Sequence, residues 1–301
     1  MRLAITGGTG FVGSRLIDAA VADGHKVRAL ARRPTEPRAN VDWIRGAFDD
    51  PAALDELAAG TDAVIHVAGV ISGRIAADFD RPNVDGTQAM INAAKAAGVG
   101  RFVHVSSLAA REPQLSLYGA SKAKSEERVA ASGLSFAIVR PPAVYGPGDK
   151  ETLELFKMAM LGVVLLPPKG RLSLIHVDDL ARLLLALSGS APSGTTVVEP
   201  DDGRPGGWSH KELAHALGTA VGRRGISLSV PPGVLKLAAK ADRLLRGDKA
   251  KLTADRAAYF SHSDWVADPS RAPPPDLWRP RTVTDEGLAA TANWYREQGW
   301  L

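Results

Sequence analysis

A tyrosine and a lysine four residues apart, in the run Tyr118-Gly119-Ala120-Ser121-Lys122, are the pair in this chain best suited to acid–base chemistry. On a helix that spacing puts both side chains on one face. An ammonium beside a phenol favours the phenolate and draws the tyrosine pKa down toward neutrality. A tyrosine tuned in this way can give or take the proton of a carbinol while a bound cofactor moves hydride. The same two residue types also form ordinary pairs on helix surfaces. What surrounds them decides between the readings.

Upstream, Gly7, Gly10 and Gly13 in Thr6-Gly7-Gly8-Thr9-Gly10-Phe11-Val12-Gly13 lie between an apolar strand pattern and a helical one. Glycines there let the backbone turn sharply and approach a pyrophosphate, and the helix start offers free N–H groups and a positive dipole end. The alternative is a tight turn that binds nothing. A Gly-Lys-Ser/Thr run is missing, so a nucleotide-hydrolysing phosphate loop is not indicated. The second strand pattern ends in Ala31-Arg32-Arg33-Pro34, without an acid. An acid at that point would hold a ribose 2′-hydroxyl, whereas arginine accommodates a 2′-phosphate. NADP is therefore the expected cofactor, ahead of NAD, with Arg32 and Arg33 on the phosphate. A solvated arginine pair beside a turn is the other reading.

These residues need a frame that brings distant segments together. Strand patterns over 2–6, 26–30, 41–45, 62–67, 101–105 and 135–139 alternate with helical ones, including 82–97 and the helix bearing Tyr118 and Lys122. That rhythm predicts an α/β fold, a Rossmann-type doubly wound parallel sheet whose strand ends share one edge. After Arg140-Pro141-Pro142 the rhythm loosens: 151–161 reads as helical, 172–176 as extended, 178–187 as helical, followed by Gly- and Pro-rich joints such as 200–207. The expected organisation is a cofactor-binding core over 1–150, with segments near 172–190 returning to it, and a smaller, partly interleaved substrate lobe over 151–301.

The chain has 301 residues, ample for a sizeable core, and its 45% hydrophobic and 23% charged composition is globular rather than disordered. Without cysteine there is no disulfide, thiolate metal site or cysteine nucleophile. The seven histidines show no metal-ligand spacing. The opening Met1-Arg2-Leu3 runs straight into a strand pattern, leaving no signal-peptide pattern, and the apolar run 161–166 is too short to span a bilayer. A cytoplasmic protein without stable membrane insertion is expected. A net charge of +4 raises the question of nucleic acid, but the basic residues are dispersed, so none is expected as a partner. Segment 234–246 interleaves leucine and alanine with Lys236, Lys240, Arg243 and Arg246. It reads as a helix covering a pocket, or else as one lying on an anionic membrane.

In this order and spacing the motifs resemble those of the extended short-chain dehydrogenase/reductase family, the NAD(P)-dependent epimerase/dehydratase type. Val67, Ala68 and Gly69, at the end of Val64-Ile65-His66-Val67-Ala68-Gly69, resemble the loop after the fourth strand that passes beneath the cofactor. Asn83-Val84-Asp85-Gly86-Thr87 resembles the helix motif whose asparagine supports the active site, and Val105-Ser106-Ser107 the strand end presenting the catalytic hydroxyl. The segment 140–148, with Pro141 and Val144, and Ile175-His176-Val177-Asp178-Asp179 are similar to two further signatures. The resemblance implies Tyr118 as general acid/base and Lys122 as its modulator and a ribose contact. Ser107 would polarise the substrate oxygen, and Asn83 would support Lys122. It further implies cofactor contacts from the glycine loop, Ala47, Phe48, the 67–69 loop, Ser106, Pro141 and Val144. Asn83 could instead cap a helix near Pro82, and Ser107 could simply end a strand. His66 and His176 read as packing residues. One departure is Gly46-Ala47-Phe48-Asp49, where the family often has Gly-Asp for the adenine amino group.

An NADP-linked interconversion of a ketone and a secondary alcohol on a fairly apolar small molecule is the leading reading. A nucleotide-sugar epimerase with retained cofactor is the alternative, though the short 107–118 segment and the missing acid after the second strand speak against it. Leu108-Ala109-Ala110 after Ser107 lacks the acidic pair a dehydratase needs. A non-catalytic NADP sensor is the third reading, opposed by the complete Ser107, Tyr118 and Lys122 set. The family resemblance also allows a homodimer through helices flanking the sheet.

Overall fold

Leu3, Ala4 and Ile5 carry no polar side chain and are fully buried. A strand apolar on both faces belongs in the middle of a parallel sheet, and that is where β1 (Arg2–Thr6) lies. The computed structural model describes residues 1–167, 169–189, 196–229, 233, 259 and 261–301. The segment 234–246 considered above lies outside them. β1 pairs in parallel with β2 (Lys26–Ala31) on one side and β4 (Ala63–His66) on the other. β3 (Val41–Arg45), β5 (Arg101–Val105), β6 (Phe136–Val139) and β11 (Thr196–Val198) complete a seven-stranded parallel sheet in the order β11-β6-β5-β4-β1-β2-β3. The order reverses beside β1, which opens a crevice at the carboxyl ends of β1 and β4.

The chain divides into two compact units. The first comprises Met1–Pro141, Asp178–Pro200 and Arg271–Arg279 and holds the large sheet. Its helices are α1 (Phe11–Ala22), α2 (Pro51–Ala58), α3 (Ala76–Asp80), α4 (Gly86–Ala96), α5 (Leu117–Ala130) and α7 (Val177–Gly189), the last beginning one residue before Asp178. Leu54 and Leu57 of α2 and Met90 and Ile91 of α4 pack with Val64 and Phe102 of the sheet in one apolar cluster. The expected 82–97 helix starts earlier and is not uniform, because Arg81–Asp85 forms a π-turn between α3 and α4. Pro82, in the first turn of that segment, supplies no N–H to the helical ladder.

The second unit comprises Pro142–Val177, Asp201–Ser270 and Pro280–Leu301. It contains β7 (Ala143–Tyr145), α6 (Leu153–Met160), β8 (Val163–Leu166), β9 (Arg171–Leu172), β10 (Leu174–His176), β12 (Trp208–Ser209), α8 (His210–Ala220), β13 (Ile226–Ser229), β14 (Asp264–Trp265) and α9 (Thr284–Glu297). The expected extended segment 172–176 is two strands, broken at Ser173, whose hydroxyl donates to Asp201 (2.9 Å) and accepts from the Ala267 N–H (3.1 Å). Phe156, Val164, Leu213, Leu217, Leu288 and Tyr295 form this unit's core, with the Phe156 and Tyr295 rings edge to face at 5.2 Å.

Candidate active site

The glycine loop is held by backbone approach that side chains would block. Gly7 has φ +73°, and a Cβ there would lie 2.7 Å from the Ala68 nitrogen. A Cβ at Gly13 would lie 2.0 Å from the Gly7 carbonyl oxygen. Helix α1 therefore starts tight against β1, with Gly10 at its N-cap, no side chain capping it and no acid in its first turn. Thr9 and Gly10 are exposed, and Phe11 and Val12 are half-buried. An open, positively polarised helix end beside glycine backbone fits an anionic pyrophosphate. Arg32 and Arg33 follow β2 at the same sheet edge, both exposed and in no ion pair among the described residues. Loop, helix end and arginines together fit a phosphorylated nicotinamide dinucleotide.

Ser107 ends the run after β5 in extended conformation, its hydroxyl accepting from the Ala109 N–H (3.2 Å) and lying close to the Tyr118 side chain. Ser116 caps α5 by accepting from Gly119 N–H (2.9 Å), which places Tyr118 in the first turn. Gly119 lets that turn approach the Ala109 carbonyl, since a Cβ there would stand 2.6 Å from its oxygen. Tyr118 and Lys122 thus share the face of α5 turned to Ser107, and the ordinary surface-pair reading fails: Lys122 is 4% exposed.

The electrostatics differ from the expectation in one respect. Lys122 Nζ donates to the Val105 carbonyl oxygen at 2.7 Å. Burial pushes the phenol of Tyr118 up from its ordinary value, and the opposing influence is the neighbouring Ser107 hydroxyl, not the ammonium. Burial also brings Lys122 down to about 8, with the Glu126 carboxylate resisting.

Asn83 does not cap a helix. From within the π-turn its amide accepts from the Val70 N–H (2.7 Å) and donates to the Val70 carbonyl (3.0 Å) and to Ser121 Oγ (2.9 Å). It ties the loop after β4 to α5 and makes no direct bond to Lys122. A methyl group on Gly69 would sit 3.1 Å from Asn83 Oδ1 and 3.8 Å from Lys122 Nζ, so this glycine keeps the loop close to both. Val67 and Ala68 belong to the same loop. Phe48 turns its ring inward, 5.4 Å from that of His66 and against Gly86, leaving backbone rather than side chain to face a ligand; Ala47 beside it is half-buried and Asp49 exposed. Pro141 accepts from the Leu108 N–H (3.1 Å), which anchors the turn after Ser107. Val144 lies in the second unit, on β7 opposite Ile175. His176 packs edge-on to Tyr145.

His66 closes β4 and is fully buried. Thr87 gives its hydroxyl proton to the Asn83 carbonyl (2.6 Å), so the 3.1 Å contact between Thr87 and His66 requires His66 Nε2–H as donor. Nδ1 then accepts from Thr6 Oγ1 at 2.9 Å, and Thr6 accepts from the Ala68 N–H at 3.2 Å. One directed chain therefore joins the 67–69 loop, the glycine-loop strand and the Asn83 turn. Burial, with Lys122 nearby, holds His66 neutral at about 3.

A second network escaped the sequence reading. Ser106 Oγ donates to Glu126 (2.5 Å), Arg140 clasps the same carboxylate with two bonds (2.9 and 2.6 Å), and Arg140 and Arg111 both reach Glu199 (3.3 and 3.1 Å). Glu126 stands four residues after Lys122 and could have been suspected from that spacing. Glu199, remote in sequence, could not.

Residues 3–198 match the model of the family described as "NAD dependent epimerase/dehydratase family". The chain is 41% identical to the ceramide reductase of Caulobacter vibrioides over 99% of its own length and 96% of that protein's. It is 32% identical to the 2-alkyl-3-oxoalkanoate reductase of Stenotrophomonas maltophilia, over 74% of this chain and 76% of that one. The solved structure of a human epimerase family protein, SDR39U1, with NADPH has the same fold, with a TM-score of 0.74 at 20% identity, covering 97% of this chain and 99% of that one.

Proposed function

The chain belongs to the NAD dependent epimerase/dehydratase family and is an NAD(P)-dependent enzyme of the reductase type, and from that premise we propose that it reduces a ketone on a long-chain lipid of the ceramide class, using NADP. The observation that carries the chemistry is the placement of Tyr118 and the buried Lys122 on one face of α5, with the Ser107 hydroxyl close enough to the phenol to act on it. The substrate class follows the relative named ceramide reductase, and the 3-oxo group named in the second relative is the same kind of target. Ile71 and Ile75, large and exposed in the segment between β4 and α3, suit an apolar chain.

When bound, the nicotinamide supplies hydride to the carbonyl carbon. The protein does the rest. Ser107 donates a hydrogen bond to the carbonyl oxygen and holds it beside the phenol. Tyr118 passes its proton to that oxygen as negative charge builds there, giving the secondary alcohol. Lys122, largely protonated below its pKa of about 8, is placed to hydrogen-bond the nicotinamide ribose and so to hold the cofactor beside the phenol. The glycine loop and the N-terminus of α1 hold the pyrophosphate, and Arg32 and Arg33 the 2′-phosphate.

The experiment follows reduced-nicotinamide absorbance with the purified protein, offered long-chain ketones and nucleotide sugars in parallel. Exchangeable NADPH consumed with a long-chain ketone is the expected result. Tyr118→Phe should lower kcat by about 10²–10⁴-fold without changing the thermal transition. Arg32→Ala should weaken NADPH by about 1.5–3 kcal/mol, the worth of a charged hydrogen bond, and leave NADH unchanged. Tightly held cofactor with sugar epimerisation and no net NADPH consumption would refute the reading.

A further inference from the structure

In the second unit, β8 and β13 form a two-stranded parallel sheet in which Ile226 lies opposite Val163 and Leu228 opposite Leu165. Paired residues in such a sheet point to the same face. Val164 is fully buried in the unit's core, with Ser227 beside it in the inward register. The outward face is therefore Val163, Leu165, Ile226 and Leu228. A half-buried strand ordinarily puts its apolar residues inward and its polar ones outward; Ile226-Ser227-Leu228 does the reverse. Ile226 is 59% exposed, Leu228 54% and Leu165 47%.

The patch extends past the sheet. Ile226 N–H donates to the Gly162 carbonyl (3.0 Å), which brings the Leu161-Gly162 turn alongside, and Leu161 is 85% exposed. Four of the eight large apolar side chains that stand exposed among the described residues are thus gathered here, more than scattered surface leucines would give. The rim is cationic. Arg223 and Arg224, both exposed, precede β13 and pair with no acid among the described residues. On α6 the exposed Glu154 is matched by Lys157 at 3.5 Å. The turn is packed tightly on α8, where a Cβ at Gly225 would lie 1.8 Å from the Ala214 carbonyl oxygen.

We propose that the outward face of β8 and β13, with Leu161 and the Arg223-Arg224 rim, docks the protein on an anionic lipid bilayer. Apolar side chains enter the headgroup–acyl boundary while the arginines meet anionic headgroups, and together these two signals give reversible peripheral binding. No helix among the described residues is long and apolar enough to cross a membrane. The proposal rests on the lipid-substrate reading for the reason a bilayer would be approached.

The test is flotation of the full-length protein with phosphatidylglycerol/phosphatidylcholine vesicles and with phosphatidylcholine alone, together with turnover of a detergent-solubilised long-chain ketone. Salt-sensitive binding to the anionic vesicles is expected. Combining Leu161→Ser, Ile226→Ser and Leu228→Ser should weaken it at least tenfold, with turnover in detergent unchanged. Arg223→Gln with Arg224→Gln should remove most of the salt sensitivity. No vesicle binding by the wild type, or equal binding by the triple variant, overturns the proposal. So does a wild-type dimer that the triple variant turns into monomer, since the face would then belong to a second copy. Vesicle binding without long-chain ketone reduction would leave the docking surface standing and remove the substrate reading. Reduction in detergent without vesicle binding would do the opposite.

Discussion

Helix α5 buries Ser121, Lys122, Ser125 and Glu126, while strand β13 exposes Ile226 and Leu228. Both break the usual distribution of polar and apolar residues, in opposite directions. In α5 every inversion is answered inside the first unit. Ser121 bonds Asn83 and the Tyr118 carbonyl, Lys122 the Val105 carbonyl, Ser125 the Lys122 carbonyl, and Glu126 both Ser106 and Arg140. In β13 the described residues contain nothing that covers the apolar side chains. A buried polar group must be satisfied where it stands, so its partners trace the working parts of the site. An exposed apolar patch is under no such demand and directs attention to something outside the unit.

That contrast can be broken, and the largest effect should come from the buried charges. Glu126→Ala leaves Arg140 facing Glu199 alone and strips Ser106 of its acceptor, so unfolding in urea should show a loss of about 3–5 kcal/mol. A loss below about 1 kcal/mol would mean that the network is not integral to the fold.

A smaller effect should appear in acid. His66 is held neutral at about 3 and His104, fully buried and stacked on it at 5.5 Å, is also driven well below its ordinary value by burial. Between pH 6.5 and 3 the unfolded chain binds protons that the folded His66 refuses. Stability from this source is complete above about pH 6.5 and is lost as pH falls toward 3. From pH 6.5 to 5 the loss from His66 is about 2 kcal/mol at roughly 1.4 kcal/mol per pH unit. Urea midpoints across that range should fall with this slope, and less steeply in His66→Asn; an identical slope in the variant would remove His66 as the source.

The smallest effect is predicted for the other region. Ile226→Ser with Leu228→Ser should change stability by no more than about 0.5 kcal/mol per site, as expected of surface positions. A loss above about 2 kcal/mol by the same urea titration would mean that these side chains are packed, and the comparison with α5 would fail.

Much of the first unit was legible because parallel strands buried on both faces leave apolar runs that cannot be mistaken for surface. The glycine loop was legible because Gly7 and Gly13 are sites where no side chain fits. Asn83 was found, but not its partners, since bonds to Val70 and Ser121 depend on how the π-turn aims the amide. The direction of the Tyr118 shift was misjudged because spacing on a helix says which residues are neighbours, not which acceptor captures an ammonium. The β13 patch was invisible because Ile-Ser-Leu-Ser reads as an ordinary half-buried strand until the register shows which face is inward.

By itself, then, the sequence determined the order of strands and helices, the glycine approach to the first helix and the residue types able to move a proton, since these follow from local periodicity and sterics. Tertiary structure alone decided that Lys122 bonds Val105, that Glu126 meets Arg140, that His66 is locked as its Nε2–H tautomer, and that Ile226 and Leu228 face outward. Each of these depends on which distant groups are brought within hydrogen-bond or packing range, and that is set by the fold and not by spacing along the chain.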